Sequence, residues 1–144
     1  RLTELGVELL NGLEFNRLRI EERFPVIGCD LTTEHLAPEA ERNGTAISYN
    51  KGCYLGQEPI ARLDAMGHVN RALRRTEVRG PVSAITGSVL HSSNGVVIGS
   101  LTSVTEISEG LCSSLAVVRL AALCDTVVAV TGAGEQFPAS VLPV

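Results

Sequence analysis

Leucines at positions 2, 5, 9 and 13, joined less regularly by Leu10 and Leu18, form an approximate helical stripe. The spacing predicts a helix over 2–19, weakened by Gly6 and Gly12. Phe24-Pro25-Val26-Ile27-Gly28 then breaks any helix, because proline removes a donor and restricts the residue before it. Thr32 or Thr33 is a candidate N-cap ahead of Pro38-Glu39. Asn43-Gly44 signals a turn, and residues 45–49 alternate like a short strand. A second helix is expected from about Glu58, with Pro59 early in it, Ile60 to Met66 continuing it and Gly67 ending it.

From Val69 the pattern changes to short runs of Val, Ile, Leu, Thr and Ser. Gly80-Pro81, Gly87, Asn94-Gly95, Glu109-Gly110 and Gly132-Ala-Gly134 separate them. The expected strands are 73–79, 88–91, 96–105, 113–120, 126–130 and 139–141. With no helix-length pattern between them, they predict a six-stranded antiparallel barrel. Asn94-Gly95 is the firmest hairpin turn, since both residues tolerate positive φ. The fold class is therefore α+β: a partial mixed α/β region over 1–67, then a β-barrel over 68–144. No internal repeat is visible.

The 144 residues are 44% hydrophobic and 19% charged, the range of a globular protein. With no Trp, two Tyr and three Phe, the core must be aliphatic. A net charge of −4 gives no overall nucleic-acid footprint. Arg71, Arg74, Arg75 and Arg79 cluster, but their alternation suits the wet face of a strand. No apolar run approaches the ~20 residues of a membrane span, and no signal peptide is recognisable. The expected compartment is the cytoplasm, or an organelle matrix of the same redox character. The chain opens on Arg1 rather than Met, as one with an upstream part would.

None of the four cysteines forms a C-x-x-C pair, and no histidine stands at zinc-ligand spacing, so no metal site is expected. Cys29, Cys112 and Cys124 read as small buried hydrophobes. Cys53 differs. It sits in Lys51-Gly-Cys-Tyr-Leu-Gly-Gln-Glu58. A thiol is nucleophilic or metal-binding only as thiolate, which nearby cations and helix N-termini favour. Lys51, two residues away, projects to the same side of an extended backbone. Gly52 and Gly56 allow close approach, while Gln57 and Glu58 offer an amide and a carboxylate. From the residues alone the plainer reading is a tight glycine turn before a helix, with Cys53 packed inside.

The same stretch, with Ala61-Arg62, resembles the K-G-C-Y-x-G-Q-E signature of the YgfZ family of folate-binding proteins, within the glycine cleavage T-protein superfamily. All seven fixed positions match. Leu18-Arg19-Ile20-Glu21 with Pro25, Gly28 and Asp30 is similar to the family's L-R-I-E-x-G-x-P-x-x-G-x-D stretch. Pro38-Glu39, Gly67 to Arg71, the G-x-x-T-S at Gly99 to Ser103 and the closing Ala139 to Pro143 extend the likeness along nearly the whole chain. Glu22-Arg23-Phe24 departs from it, standing where the family has a small residue and glycine before Pro25. Pro59 departs too.

The resemblance implies the C-terminal half of a tetrahydrofolate-dependent assembly or repair factor for iron–sulfur proteins, an accessory factor more than a complete enzyme. The alternative is an aminomethyltransferase of the glycine cleavage type. Cys53 would be the working thiol and Lys51 its support. Glu21 would meet the pterin, with Gly52, Tyr54, Gly56, Gln57 and Glu58 shaping the loop and Arg62 fixing it to the body. The implied partners are folate and iron–sulfur client or carrier proteins, with neither nucleic acid nor membrane. Most of the folate channel would lie upstream, so these residues alone are expected to bind no folate. Among other candidates, His68 reads as a hydrogen-bonded structural group, and His35 and His91 as surface residues. Asp64 and Asp125 lack a partner at useful spacing, and Gly132-Ala-Gly134 reads as a hairpin turn.

Overall fold

Six antiparallel strands close into a barrel in the computed structural model, which describes residues 3–124 and 126–143. They are β1 Arg71–Arg79, β2 Val89–Ser92, β3 Val97–Ser108, β4 Leu111–Arg119, β5 Val127–Val130 and β6 Gln136–Val141. The order around the barrel is β1-β4-β3-β2-β5-β6, and β6 pairs back onto β1. Each expected strand is present. β6 reaches back through Pro138, which lies opposite Val128, to Gln136. Asn94-Gly95 makes the expected tight turn, with Gly95 at φ 75°.

The barrel interior is aliphatic and small: Val78, Leu90, Ile98, Leu101, Cys112, Ala116, Val118, Val127, Ala129 and Ala139. A single helical turn, α4 Val82–Ile85, interrupts the expected all-β half and delivers a fully buried Ile85 into this core. The outer face of β1 and β4 is covered as well. There Leu73 and Leu115 pack with Ile20 and Leu31 from the first part of the chain.

Those first residues are less regular than their pattern. The helix expected over 2–19 starts late, as α1 Gly12–Glu21, after a 3-10 turn at Thr3–Leu5. Asn11 sets the start. Its side chain accepts from the Leu13 and Glu14 N–H groups while Glu14 Oε2 accepts from the Asn11 N–H, a reciprocal cap. Gly6 at φ 72° ends the preceding turn. In consequence Leu5, Leu9 and Leu13 are exposed, and Ile20 is the residue of α1 that is buried. Leu2 and Asp125 lie outside the described residues.

Residues 45–49 form no strand. Thr45 and Ala46 both donate to the Arg42 carbonyl, winding one turn of helix, α2 Asn43–Ala46. A lone strand here would have left its backbone groups without a partner ladder. Thr32 and Thr33 do not cap a helix. Thr32 instead anchors a turn in which its N–H donates to His35 Nδ1 and its hydroxyl accepts from the Glu34 N–H. The following 3-10 turn, Ala37–Ala40, has Leu36 at its N-cap position. The second helix, α3 Gln57–Met66, ends at Gly67 as expected, with φ 75°.

Gly99 sits where β3 crosses β4 closely. A Cβ there would land on the Val117 carbonyl oxygen and 3.0 Å from Val118 Cα. Backbone cannot yield as a side chain can. Gly99→Ala should therefore destabilise the fold by about 2–3 kcal/mol, read as a lower midpoint in urea denaturation.

Cys112 is buried, its thiol donating to the Gly80 carbonyl at 3.2 Å. Burial pushes this thiol up, and the Glu106 carboxylate adds to the shift. The folded state thus keeps a proton that the unfolded chain releases first. Stability should be level below the unfolded thiol's pKa, near ~8.5, and fall as pH rises through and above it. Cys112→Ala should flatten that alkaline slope in denaturation midpoints measured between pH 7 and 10.

Candidate functional site

Asp30 is the hub that holds the first part of the chain to the barrel. It is 1% exposed and accepts three hydrogen bonds. They come from Arg19 Nη1 at 2.8 Å, the Val26 N–H at 2.8 Å and Thr102 Oγ1 at 2.6 Å. Arg19 Nη2 also reaches Ser103 Oγ at 2.7 Å. One carboxylate therefore joins α1, the loop after it and the middle of β3. Glu21, the last residue of α1, is oriented by this anchorage two residues away.

Cys29 and Cys124, expected to be buried, are exposed. In the turn between Gly28 and Leu31 it is Asp30 that takes the inward place, leaving Cys29 outside with Sγ 3.5 Å from Ser103 Oγ. Cys124 follows the short 3-10 turn after β4, and its thiol donates to the Thr126 carbonyl at 3.0 Å.

Further ion pairs dock the segment before α3. Arg71 bonds both carboxylate oxygens of Glu39, at 3.1 and 3.3 Å, and Arg74 pairs with Glu41. The arginines of β1, expected on a wet face, thus divide. Arg71 and Arg74 are structural, Arg75 is half-buried and Arg79 is exposed. Arg23 and Glu41 each hold φ 52°, the left-handed region that favours glycine, and their side chains meet at 3.9 Å. Arg23 occupies the position at which the family pattern has glycine, and this backbone explains why.

The cysteine loop runs over 50–56 and leads into α3. Gly56 at φ 86° makes the bend, and the Gln57 N–H closes the turn onto the Tyr54 carbonyl at 3.2 Å. Only a residue without Cβ adopts that φ cheaply. Lys51, Gly52 and Cys53 are exposed and Tyr54 is half-buried. Lys51 Nζ stands 4.4 Å from the centroid of the Tyr54 ring. The sulfur is therefore reachable from solvent, with a cation held in the same loop.

α3 carries Pro59 in its first turn, where proline's missing donor costs nothing, and Glu58, whose charge suits the N-terminal end. No residue of α3 is buried. Its inner side, Ile60 and Leu63, is half-buried, and the helix lies against the 37–40 turn. Arg62 reaches Glu58 one turn back, at 4.0 Å on an exposed surface, rather than a group on the barrel. Gln57 is half-buried at the helix start. At the far end of α3, Leu63, Asp64 and His68 join Tyr49 and Glu41 around an open cavity of about 260 Å³. His68 Nδ1 bonds the Met66 carbonyl at 3.0 Å, which suits a structural role. His35 and His91 are half-buried.

Glu21 is not part of that loop. Its Oε1 accepts from Arg17 Nε at 2.9 Å, and no hydrogen bond or ion pair among the described residues links it to residues 50–56. Among the described residues, no group of three or more His, Cys, Asp or Glu could hold a metal ion. No described helix is long and apolar enough to cross a membrane.

This constellation can be set beside known proteins. No protein-family model matches the chain. The tRNA-modifying protein YgfZ of Colwellia psychrerythraea is 41% identical over 63 residues, which span 41% of this chain and 18% of that protein. Its counterpart from Yersinia enterocolitica is 40% identical over 67 residues, and that of Blochmanniella pennsylvanica 34% over 71, spanning 19% and 21% of those proteins. Over these stretches the chain is similar to YgfZ proteins, in keeping with the resemblance its cysteine loop carries. Its matched region is about a fifth of the length of these relatives.

The glycine cleavage system aminomethyltransferase T of Bartonella henselae superposes on 99% of the chain and 40% of its own length, with TM-score 0.77 at 21% identity. That likeness concerns the fold. It supports an α+β chain built from a barrel with helical additions.

The stretch from Leu18 to Asp30 that resembles the YgfZ-family pattern acquires a physical reading here. Arg19 and Asp30 are partners, and the G-x-x-T-S of β3 supplies Thr102 and Ser103 to them. Asp30→Ala should cost about 3 kcal/mol, because the 9%-exposed Arg19 side chain would be left without its counter-charge. A chemical denaturation curve checks this, and Arg19→Ala in the Asp30→Ala background should then add little.

Proposed function

We propose that the chain works in a factor that assembles or repairs iron–sulfur proteins with the help of tetrahydrofolate, and that Cys53 is its working thiol. The observation that carries this reading is the exposure of Cys53 in a glycine-bent loop that also holds the Lys51 ammonium. A thiol so placed can be met by a large partner, and the same loop presents a cation to it.

Protein-bound clusters usually take four ligands, and here one thiol stands alone, so a cluster would be cargo shared with a client protein or a small thiol. Gln57 and Glu58, at the first turn of α3, offer polar groups to such a partner.

The donor set fits one part of folate recognition. A carboxylate at Glu21 can accept two parallel hydrogen bonds from the amide and amino edge of a pterin. Its present partner, Arg17, makes an exposed i,i+4 pair that is easily exchanged. Tetrahydrofolate would supply a one-carbon carrier, and this chain's part would be to hold the pterin end at Glu21. Lying outside the cysteine loop, Glu21 would serve binding while Cys53 serves the client.

The curated relatives are named tRNA-modifying proteins. A factor that sustains a cluster in a tRNA-modifying enzyme would earn that description without touching RNA, and a net charge of −4 suits a protein partner better than a polyanion. The compartment proposed is the cytoplasm, or the mitochondrial matrix in a eukaryotic source.

The test is genetic. In a cell lacking its YgfZ-family protein, the gene carrying Cys53→Ala should leave [4Fe–4S] enzyme activity near the deficient level, while Cys29→Ala should restore it. Full restoration by Cys53→Ala would end the thiol reading.

A further inference from the structure

The contact between Lys51 and Tyr54 has a use that neither residue type reveals alone. Lys51 Nζ lies 4.4 Å from the ring centroid of Tyr54, inside the ~6 Å reach of a cation–π contact. An exposed lysine ordinarily spreads its charge over many rotamers. Here a half-buried ring, fixed in a turn closed by the Gln57 N–H on the Tyr54 carbonyl, offers it one face. Lys51 and Tyr54 bracket Cys53 in the chain, so the charge is confined to the loop that carries the sulfur.

We infer that Tyr54 is a positioning residue, whose ring keeps the Lys51 ammonium in the loop so that Cys53 prefers anionic reaction partners over neutral ones. The inference rests on Cys53 as the working thiol and names the chemistry of what that thiol meets: groups carrying negative charge, such as thiolate-bound clusters whose ligands it can exchange. Tyr54 thereby acts through Lys51. Its phenol oxygen has no part in this, and the ring face carries the effect.

The purified chain tests this with two alkylating reagents of the same reacting carbon, iodoacetate (an anion) and iodoacetamide (neutral), supplied together in excess. In each reaction the sulfur attacks the CH₂ carbon, an S–C bond forms, the C–I bond breaks, iodide leaves and the thiol proton passes to the buffer. Peptide mass spectrometry reads the ratio of the two products at Cys53. Because the ratio compares reagents on one sulfur, a change in exposure or folding alone leaves it nearly unmoved. Cys29 and Cys124, also exposed, report on the same molecules and should keep their ratios in every variant.

A unit charge held within several ångströms of a reacting anion in water changes such a ratio about threefold. Lys51→Gln should lower it by that factor, Tyr54→Leu should lower it nearly as far, and Tyr54→Phe should keep the wild-type value. A wild-type or raised ratio in Tyr54→Leu would overturn the inference, and so would a Tyr54→Phe ratio as low as that of Tyr54→Leu. The measurement needs no client or folate, so its failure is distinct from failure of the thiol reading, which the restoration experiment decides.

Discussion

The structure depends on one buried carboxylate. Asp30 accepts from Arg19, from the Val26 backbone and from Thr102, and so ties a helix, the loop that follows it and a barrel strand at a single point. A buried charge is tolerated only where it is paired and fully hydrogen-bonded, and each partner here depends on the others for that condition. The apolar contact that accompanies it is small. Ile20 and Leu31 meet Leu73 and Leu115 on the outside of the barrel. Specific polar contact thus supplements limited burial in fixing where α1 lies, and with it the position of Glu21.

The barrel is the rigid body and α3 its appendage. Strand β4 buries the consecutive residues Cys112 to Ala116 on both faces, whereas no residue of α3 is buried. Local stability follows burial and contact density. The cysteine loop therefore sits at the softer end of the molecule, held by the Gly56 bend, the 37–40 turn and ion pairs of the neighbouring segment. Such a place suits a thiol that must meet another macromolecule, since a loop can adjust to a partner without disturbing a core.

Much of this was legible in the residues. The six strands announced themselves by runs of branched residues between glycine turns. α3 was legible from Pro59, which suits its first turn, and from Gly67, which ends it. The first fifty residues were not, and the reasons are local. A leucine stripe at helical spacing predicts burial, yet Asn11 caps the helix late and Leu5, Leu9 and Leu13 stay outside. Residues 45–49 alternate as a strand does but have no neighbour to pair with. Cys29 looked like core, and the adjacent Asp30 was buried in its stead. A charged residue in a buried hub is invisible to hydrophobic pattern. At the site, the exposure of Cys53 could not be read from spacing, and neither could the ring beneath Lys51.

Native-state hydrogen exchange tests the central claim most directly. If the Asp30 hub makes α1 and the barrel one cooperative unit, the hydrogen-bonded amides of α1 near Ile20 should share the protection of β3 and β4, while those of α3 exchange well before global unfolding. Amides of α1 exchanging as fast as those of α3, with the barrel still protected, would contradict it.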